Sequence, residues 1–210
     1  MTPSRTGRLV AVEGIDGTGK STLVLALARA LRRRGYSVAV RREPADPRLG
    51  RLAQEASVRD AWTGAVYFTV DRHLARPALL AALRTHDLVL SDRSYFSTVA
   101  YQGSALPAGD RRRLERLQRG ASVPPDLVVL LDLPPSAALE RLGARSTVRA
   151  PLERRRTLER VAAAYRRLAR RGRWRVLDAA HPRSELVAEA VRAIDHPTRR
   201  AKRRATEDQR

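Results

Sequence analysis

Apolar residues along the chain gather in short unbroken runs, separated by longer stretches with helical periodicity. RLVAVEG (8–14), YSVAVRREP (36–44), DLVLSD (87–92), PDLVVLLDLPP (125–135) and WRVLDAA (174–180) read as five strands. None alternates polar and apolar positions as a half-solvated strand does, so the sheet is expected to be buried on both faces. Helical patterns fill the intervals: 21–35 closed by Gly35, 48–56, 61–86, a helix opening at 95, 110–120, 136–145, one ending near 171, and 184–194. Gly64 and Pro77 are weak points in the 61–86 pattern. Strands alternating with helices predict one α/β domain over 1–194: three layers, with a five-stranded, mostly parallel sheet and helices on both faces. In such sheets ligands gather beyond the carboxyl ends of the strands. The residues just after each apolar run are therefore the informative ones.

Composition narrows this picture in two ways. With 210 residues, 43% of them hydrophobic, the chain can bury one substantial core, and no apolar run is long enough to span a membrane. There is no cysteine, hence no disulfide framework or thiolate metal site, and the first residues lack a secretory pattern; a cytoplasmic protein is expected. A net charge of +20 raises the possibility of nucleic-acid binding. The tail 195–210, expected to be disordered, holds six basic and three acidic residues and so supplies only +3. The remainder is spread over the body, much of it on helices such as LERRRTLERVAAAYRRLARRGR, without interleaved aromatics to stack bases. Small anionic ligands suit this charge equally well.

The basic charge is almost entirely arginine. Of two lysines, Lys202 lies in the tail and Lys20 lies in GIDGTGKS (14–21), which matches G-x-x-x-x-G-K-S between a predicted strand and helix. In that setting Gly14, Gly17 and Gly19 let backbone N–H groups face a phosphate at a helix N-terminus. A lysine enters such a nest as a compact point charge where a forked guanidinium fits poorly. The ATP-binding stretch is thus Gly14, Ile15, Asp16, Gly17, Thr18, Gly19, Lys20 and Ser21, with the Ser21 hydroxyl a Mg²⁺ ligand. DLVLSD places Asp92 at the end of a buried strand, a second metal position, and Arg93 follows it.

VEGIDGTGKST, RREP, YFTVDRH, SDRSYFSTVAYQG, PDLVVLLDLPP and VLDAA, in that order over roughly 8–194, resemble the thymidylate kinase family of P-loop nucleoside monophosphate kinases. The resemblance implies a P-loop NTPase fold with a short lid at about 143–152. It also implies Mg²⁺-dependent transfer of the ATP γ-phosphoryl group to dTMP in a cytoplasmic homodimer. Asp16 would then orient the acceptor phosphate, Arg42 would grip it, and Arg93 would lie between donor and acceptor. Phe68 would cover the thymine face and Arg72 its edge; they are four apart, so a helix puts them on one side. Thr98 and Gln102 are candidates for the base edge, and Tyr101 for pressing on the sugar. Because the P-loop carries no arginine, the resemblance assigns the catalytic one to the lid, Arg149 first and Arg145 second.

One departure affects the acceptor. Where the family commonly continues REP with GGT, this chain has Ala45, Asp46 and Pro47, and an acidic side chain beside a phosphate would be unfavourable unless it points away. Two other readings remain open at this level. A deoxynucleoside kinase would use Asp92 as a base on a 5′-hydroxyl, and a nucleotide-dependent nucleic-acid-binding P-loop protein would use the basic surface.

Overall fold

The computed structural model describes residues 7–143, 152–172 and 174–195; of the lid expected at about 143–152, residues 144–151 lie outside them, as does the tail after 195. In chain order the elements are β1 (Arg8–Glu13), α1 (Lys20–Arg33), β2 (Val38–Arg42), α2 (Pro47–Arg59), α3 (Ala61–Thr85), β3 (Leu88–Asp92), α4 (Tyr95–Ser104) and α5 (Ala108–Ala121). Then follow β4 (Leu127–Asp132), α6 (Pro135–Gly143), α7 (Leu152–Ala169), β5 (Trp174–Asp178) and α8 (Arg183–Asp195).

The five strands form one sheet in the order β2-β3-β1-β4-β5, and every neighbouring pair is parallel. The expectation of a mostly parallel sheet becomes an entirely parallel one. On one face α1 and α8 pack together; on the other lie α3, α4 and α7, with α5 against α4. Burial follows this layering. β3 is buried at every position and β1 and β4 nearly so, because helices cover both their faces, whereas the edge strands β2 and β5 keep exposed positions. Val40 and Val176 accordingly stand out on those edges, where the sequence pattern suggested continuous burial. α1 buries Leu23, Val24, Leu27, Ala28 and Leu31, a three-and-four spacing that points one stripe into the core.

α3 runs unbroken through Gly64 and Pro77. Pro77 lies on the exposed side, as does His73 one turn earlier, so the carbonyl left without its helical partner faces water. The register finishes the pairing of the central strands level: Val12 and Arg42 both lie opposite Asp92. The ladder then extends one step, with Arg93 N donating to Val12 O at 3.0 Å and Glu43 N to Asp92 O at 3.0 Å. Glu13, Arg42, Glu43, Asp92 and Arg93 therefore emerge along one edge of the sheet.

Candidate functional site

The turn from β1 into α1 is shaped by glycine. Gly14, Gly17 and Gly19 have φ of 146°, 89° and 89°, and a Cβ on Gly17 would sit 2.4 Å from the carbonyl oxygen of Ala138 in α6. α1 begins at Lys20 with Gly19 as its N-cap and no side-chain cap, leaving its first N–H groups for a ligand. Ile15 is buried and anchors the loop. Its carbonyl accepts from Thr18 Oγ1 at 2.9 Å and from Lys20 Nζ at 2.8 Å. Burial, with the nearby Arg93 charge adding to it, lowers the Lys20 pKa to about 8. Ser21, exposed at the mouth of the loop, donates its hydroxyl to Asp92 Oδ2 at 2.5 Å, so both expected metal positions face one point.

A second group of charges links this loop to α4. Arg93 has φ of 77°, a left-handed conformation costly for a residue with a side chain. Its Nη2 pairs with Asp16 Oδ1, its Nη1 donates to Ser97 Oγ at 3.1 Å, and its guanidinium lies 5.4 Å from the centre of the Tyr101 ring. Lys20 Nζ lies 3.8 Å from the same Asp16 oxygen, so one carboxylate serves two cations. Burial alone would raise the Asp16 pKa, but Arg93 and Lys20 outweigh it and hold the carboxyl below its ordinary value. Tyr101 Oη accepts from Asp16 N at 3.0 Å, and burial raises its pKa, so it stays a phenol.

Beyond Arg93 opens a cleft of about 410 Å³ lined by Asp16, Arg42, Phe68, Arg72, Arg93, Thr98, Tyr101 and Gln102, every acceptor-side residue singled out in the sequence. Arg42 is exposed at its rim, and Phe68 is half-buried on the same helix as Arg72. Arg72 is buried and held at three points. Nε donates to Glu43 Oε2 at 2.6 Å, Nη1 to Gln118 Oε1 at 2.7 Å and Nη2 to Thr98 Oγ1 at 2.7 Å. Thr98 thus supports Arg72, while Gln102 donates its amide to Ser57 Oγ at 3.0 Å. Arg145 and Arg149 lie outside the described residues.

Asp46 does not reach this cleft. Its side chain caps α2, accepting from Arg48 N at 2.7 Å, and Pro47 sits at the first helical position. Asp71 accepts from Ala45 N at 2.9 Å and Asp46 N at 2.7 Å, so a carboxylate bonded to backbone fastens the departing loop. A larger, more open cleft of about 700 Å³ lies along the edge of β2 near Arg41 and Arg51, but apart from Arg42 it holds none of the converging phosphate-side groups.

Sequence reading missed four residues here. Glu13 lies in VEGIDGTGKST, where the phosphate-loop pattern assigns it no role. It is fully buried, and burial raises its pKa against the side-chain hydrogen bonds of Ser97, Ser94 and Tyr165 and the Arg93 charge. Glu43 lies in RREP, and its bond to Arg72 crosses 29 positions. Gln118 belongs to no motif, is fully buried, and donates to Thr69 Oγ1 at 2.7 Å while accepting from Arg72. Tyr165 in α7 donates to Glu13 at 2.8 Å. Only a polar residue on the apolar stripe of its helix, as at Gln118, could have drawn attention.

The match to known proteins covers the same ground. The family model for thymidylate kinase matches residues 12–191. The chain is 34% identical over 189 residues to the "Probable thymidylate kinase" of Archaeoglobus fulgidus, covering 89% of this chain and 94% of that protein. It is 38% identical to the "Thymidylate kinase" of Xanthomonas euvesicatoria pv. vesicatoria over 190 residues, 88% of this chain and 81% of that one. To the "Thymidylate kinase" of Thermomicrobium roseum it is 38% identical over 193 residues, 87% and 91% of the two.

Proposed function

The chain belongs to the thymidylate kinase family, and from that premise we propose how its residues transfer the γ-phosphoryl group of ATP to the 5′-phosphate of dTMP, giving dTDP. The observation that carries this reading is the shared Asp16–Arg93 pair, which joins a phosphate nest on one side to a nucleotide-sized cleft on the other. Two polyanions must meet, so catalysis is mainly positioning and charge stabilisation. Lys20 and the N–H groups of 14–21 hold the donor. Arg42 grips the acceptor phosphate from the rim, and Arg93 stands between the two. Asp16, kept ionised, stops Lys20 and Arg93 from repelling each other apart and orients the acceptor phosphate. Phe68 covers the base, and Arg72 presents its remaining N–H groups to acceptors on the base edge, such as a carbonyl. Gln102 adds to that edge, and Tyr101 packs against the deoxyribose. Arg149, ahead of Arg145, supplies a further positive charge to the transferring group; Arg149→Ala then lowers kcat far more than nucleotide affinity.

Mg²⁺ fits the donor side. Among the described residues no cluster of three or more His, Cys, Asp or Glu could hold a metal ion, but Ser21 and Asp92 offer one hydroxyl and one carboxylate together. That sparse oxygen set suits an ion that keeps much of its water and takes its other ligands from phosphates. Bound there, it neutralises charge on the donor phosphates.

Asp92 also separates this reading from a deoxynucleoside kinase. It is engaged by Ser21 and absent from the lining of the acceptor cleft, away from where a base for a 5′-hydroxyl would stand. A coupled assay with dTMP, thymidine, dUMP and TMP decides it. Turnover is expected with dTMP and not with thymidine, and the reverse result overturns the assignment.

A second copy of the chain is the proposed partner. Val66, Val70 and Leu74 are exposed at four-residue spacing on α3, beside exposed Leu52 and Val58 on α2, an apolar stripe of the kind copies cover in dimers. Leu74→Asp is expected to yield monomers in light scattering. No described helix is long and apolar enough to cross a membrane. From the family, we place the enzyme in the cytoplasm.

A further inference from the structure

Glu13 ends β1 directly beneath the phosphate loop, fully buried and outside the lining of the acceptor cleft. Its Oε1 accepts from Ser94 N and Ser94 Oγ, both at 2.7 Å. Its Oε2 accepts from Ser97 Oγ at 2.7 Å and Tyr165 Oη at 2.8 Å. Four donors converge on two oxygens, which only an ionised carboxylate can fully satisfy. A buried carboxylate is costly to keep, so an acid retained at such a position calls for a reason beyond packing.

Three of the four donors flank one residue. Ser94 follows Arg93 directly and caps α4, and Ser97 comes one turn later. Arg93 adopts its strained left-handed backbone between two anchors: its own N bonded to Val12 O at 3.0 Å, and the next N bonded to Glu13. Ser91 Oγ donates to Arg93 O at 2.6 Å and closes the other side of that peptide. The side chain is governed by the same acid. Ser97 has a single hydroxyl proton, which it gives to Glu13, and that leaves an oxygen lone pair facing Arg93 Nη1 at 3.1 Å. Without the carboxylate, the Ser97 hydroxyl can turn to Tyr165 Oη, 3.0 Å away, or present its proton to a guanidinium that can only donate, so its lone pair is no longer fixed on Arg93.

We propose that Glu13 is a positioning residue for phosphoryl transfer: through Ser94 and Ser97 it fixes the backbone and guanidinium of Arg93 where donor and acceptor phosphates meet, and through Tyr165 it ties α7 to that point. The proposal rests on the kinase reading above. Its test therefore begins with wild-type turnover of dTMP, whose absence would count against that reading rather than against Glu13.

The variants are Glu13→Gln, Ser97→Ala, Ser97→Thr and the Glu13→Gln/Ser97→Ala pair, assayed for kcat and both KM values with melting curves on the same preparations. Glutamine keeps the shape but turns an N–H₂ toward one pair of donors. Its kcat is expected to fall about tenfold or more, with the KM for ATP held within about threefold because Glu13 accepts its hydrogen bonds from Ser94, Ser97 and Tyr165 and from no group of the donor nest. Ser97→Ala should show the same split, Ser97→Thr should recover most of the loss, and the double variant should be little worse than the worse single one. If Glu13→Gln and Ser97→Ala melt lower yet keep kcat per folded molecule within about twofold, Glu13 is only structural and the proposal fails. Should Glu13→Gln not fold, the Ser97 pair decides: Ser97→Ala with wild-type kcat overturns it, and a loss recovered by threonine supports it.

Discussion

Replacing Lys20 by methionine should abolish phosphoryl transfer and at the same time make the free enzyme more stable. Lys20 is 7% exposed, and its pKa is lowered from 10.5 to about 8, first by burial and then by the Arg93 charge. At about 1.4 kcal/mol for each tenfold change in acidity, holding the ammonium in the folded protein costs about 3 kcal/mol. Methionine has similar reach and no charge. It forfeits the hydrogen bond to Ile15 O, about 1 kcal/mol, while Asp16 keeps Arg93 as its partner. The net gain is about 2 kcal/mol, which for a chain of this size raises the melting temperature by roughly 4–8 °C. The pH dependence has a definite sign. Between pH 8 and 10.5 the unfolded lysine holds its proton more tightly than the folded one, so wild-type stability rises with pH across that window. The advantage of Lys20→Met is therefore full below pH 8 and gone above about pH 10.5. Calorimetry of both proteins without nucleotide or metal measures this. Because the chain has only two lysines, labelled lysine carbon signals report the Lys20 titration directly, with a midpoint near 8 expected. A methionine variant that melts no higher at pH 7, or the absence of any lysine signal titrating near 8, refutes the reasoning.

Gly17→Ala places a Cβ 2.4 Å from Ala138 O at a φ of 89°, so the loop must move away from α6. A rise in the KM for ATP of about tenfold or more is expected, with a stability loss of about 1 kcal/mol or more seen in melting. Gln118→Leu leaves one N–H of the Arg72 clamp without its acceptor while keeping the core filled. The KM for dTMP should rise about tenfold with kcat little changed, and with dCMP added to the acceptor panel, discrimination against it should narrow. Asp46→Ala removes only a helix cap. It should lower the melting temperature by about 2–4 °C and leave turnover with dTMP within about twofold, and a large loss of turnover would return Asp46 to the phosphate site.

What could be read before the fold was known follows a clear physical division. The phosphate loop was legible because its chemistry is local: glycines, a lysine and a hydroxyl within eight positions, bracketed by a strand and a helix. Phe68 and Arg72 were legible as a pair because helical spacing alone puts them on one face. Asp46 drew attention as a charge beside a phosphate-binding loop, whereas the structure uses it to cap α2 through Arg48 N two residues on. Glu43 and Gln118 were not legible as partners of Arg72, since their bonds span 29 and 46 positions. Glu13 lies still further from its donors at Ser94, Ser97 and Tyr165.

By itself, then, the sequence determined the layers, the strands, the donor-phosphate loop and the family. Those depend on summed burial along each segment and on contacts between near neighbours, which survive any uncertainty in packing. Only the tertiary structure decided that Asp16 would be shared by Lys20 and Arg93, that three acceptors would clamp Arg72, and that a buried acid would hold Arg93 in a strained backbone. Hydrogen bonds and ion pairs are short and directional. Which groups meet within 3 Å therefore depends on how helices from distant parts of the chain settle on the parallel sheet.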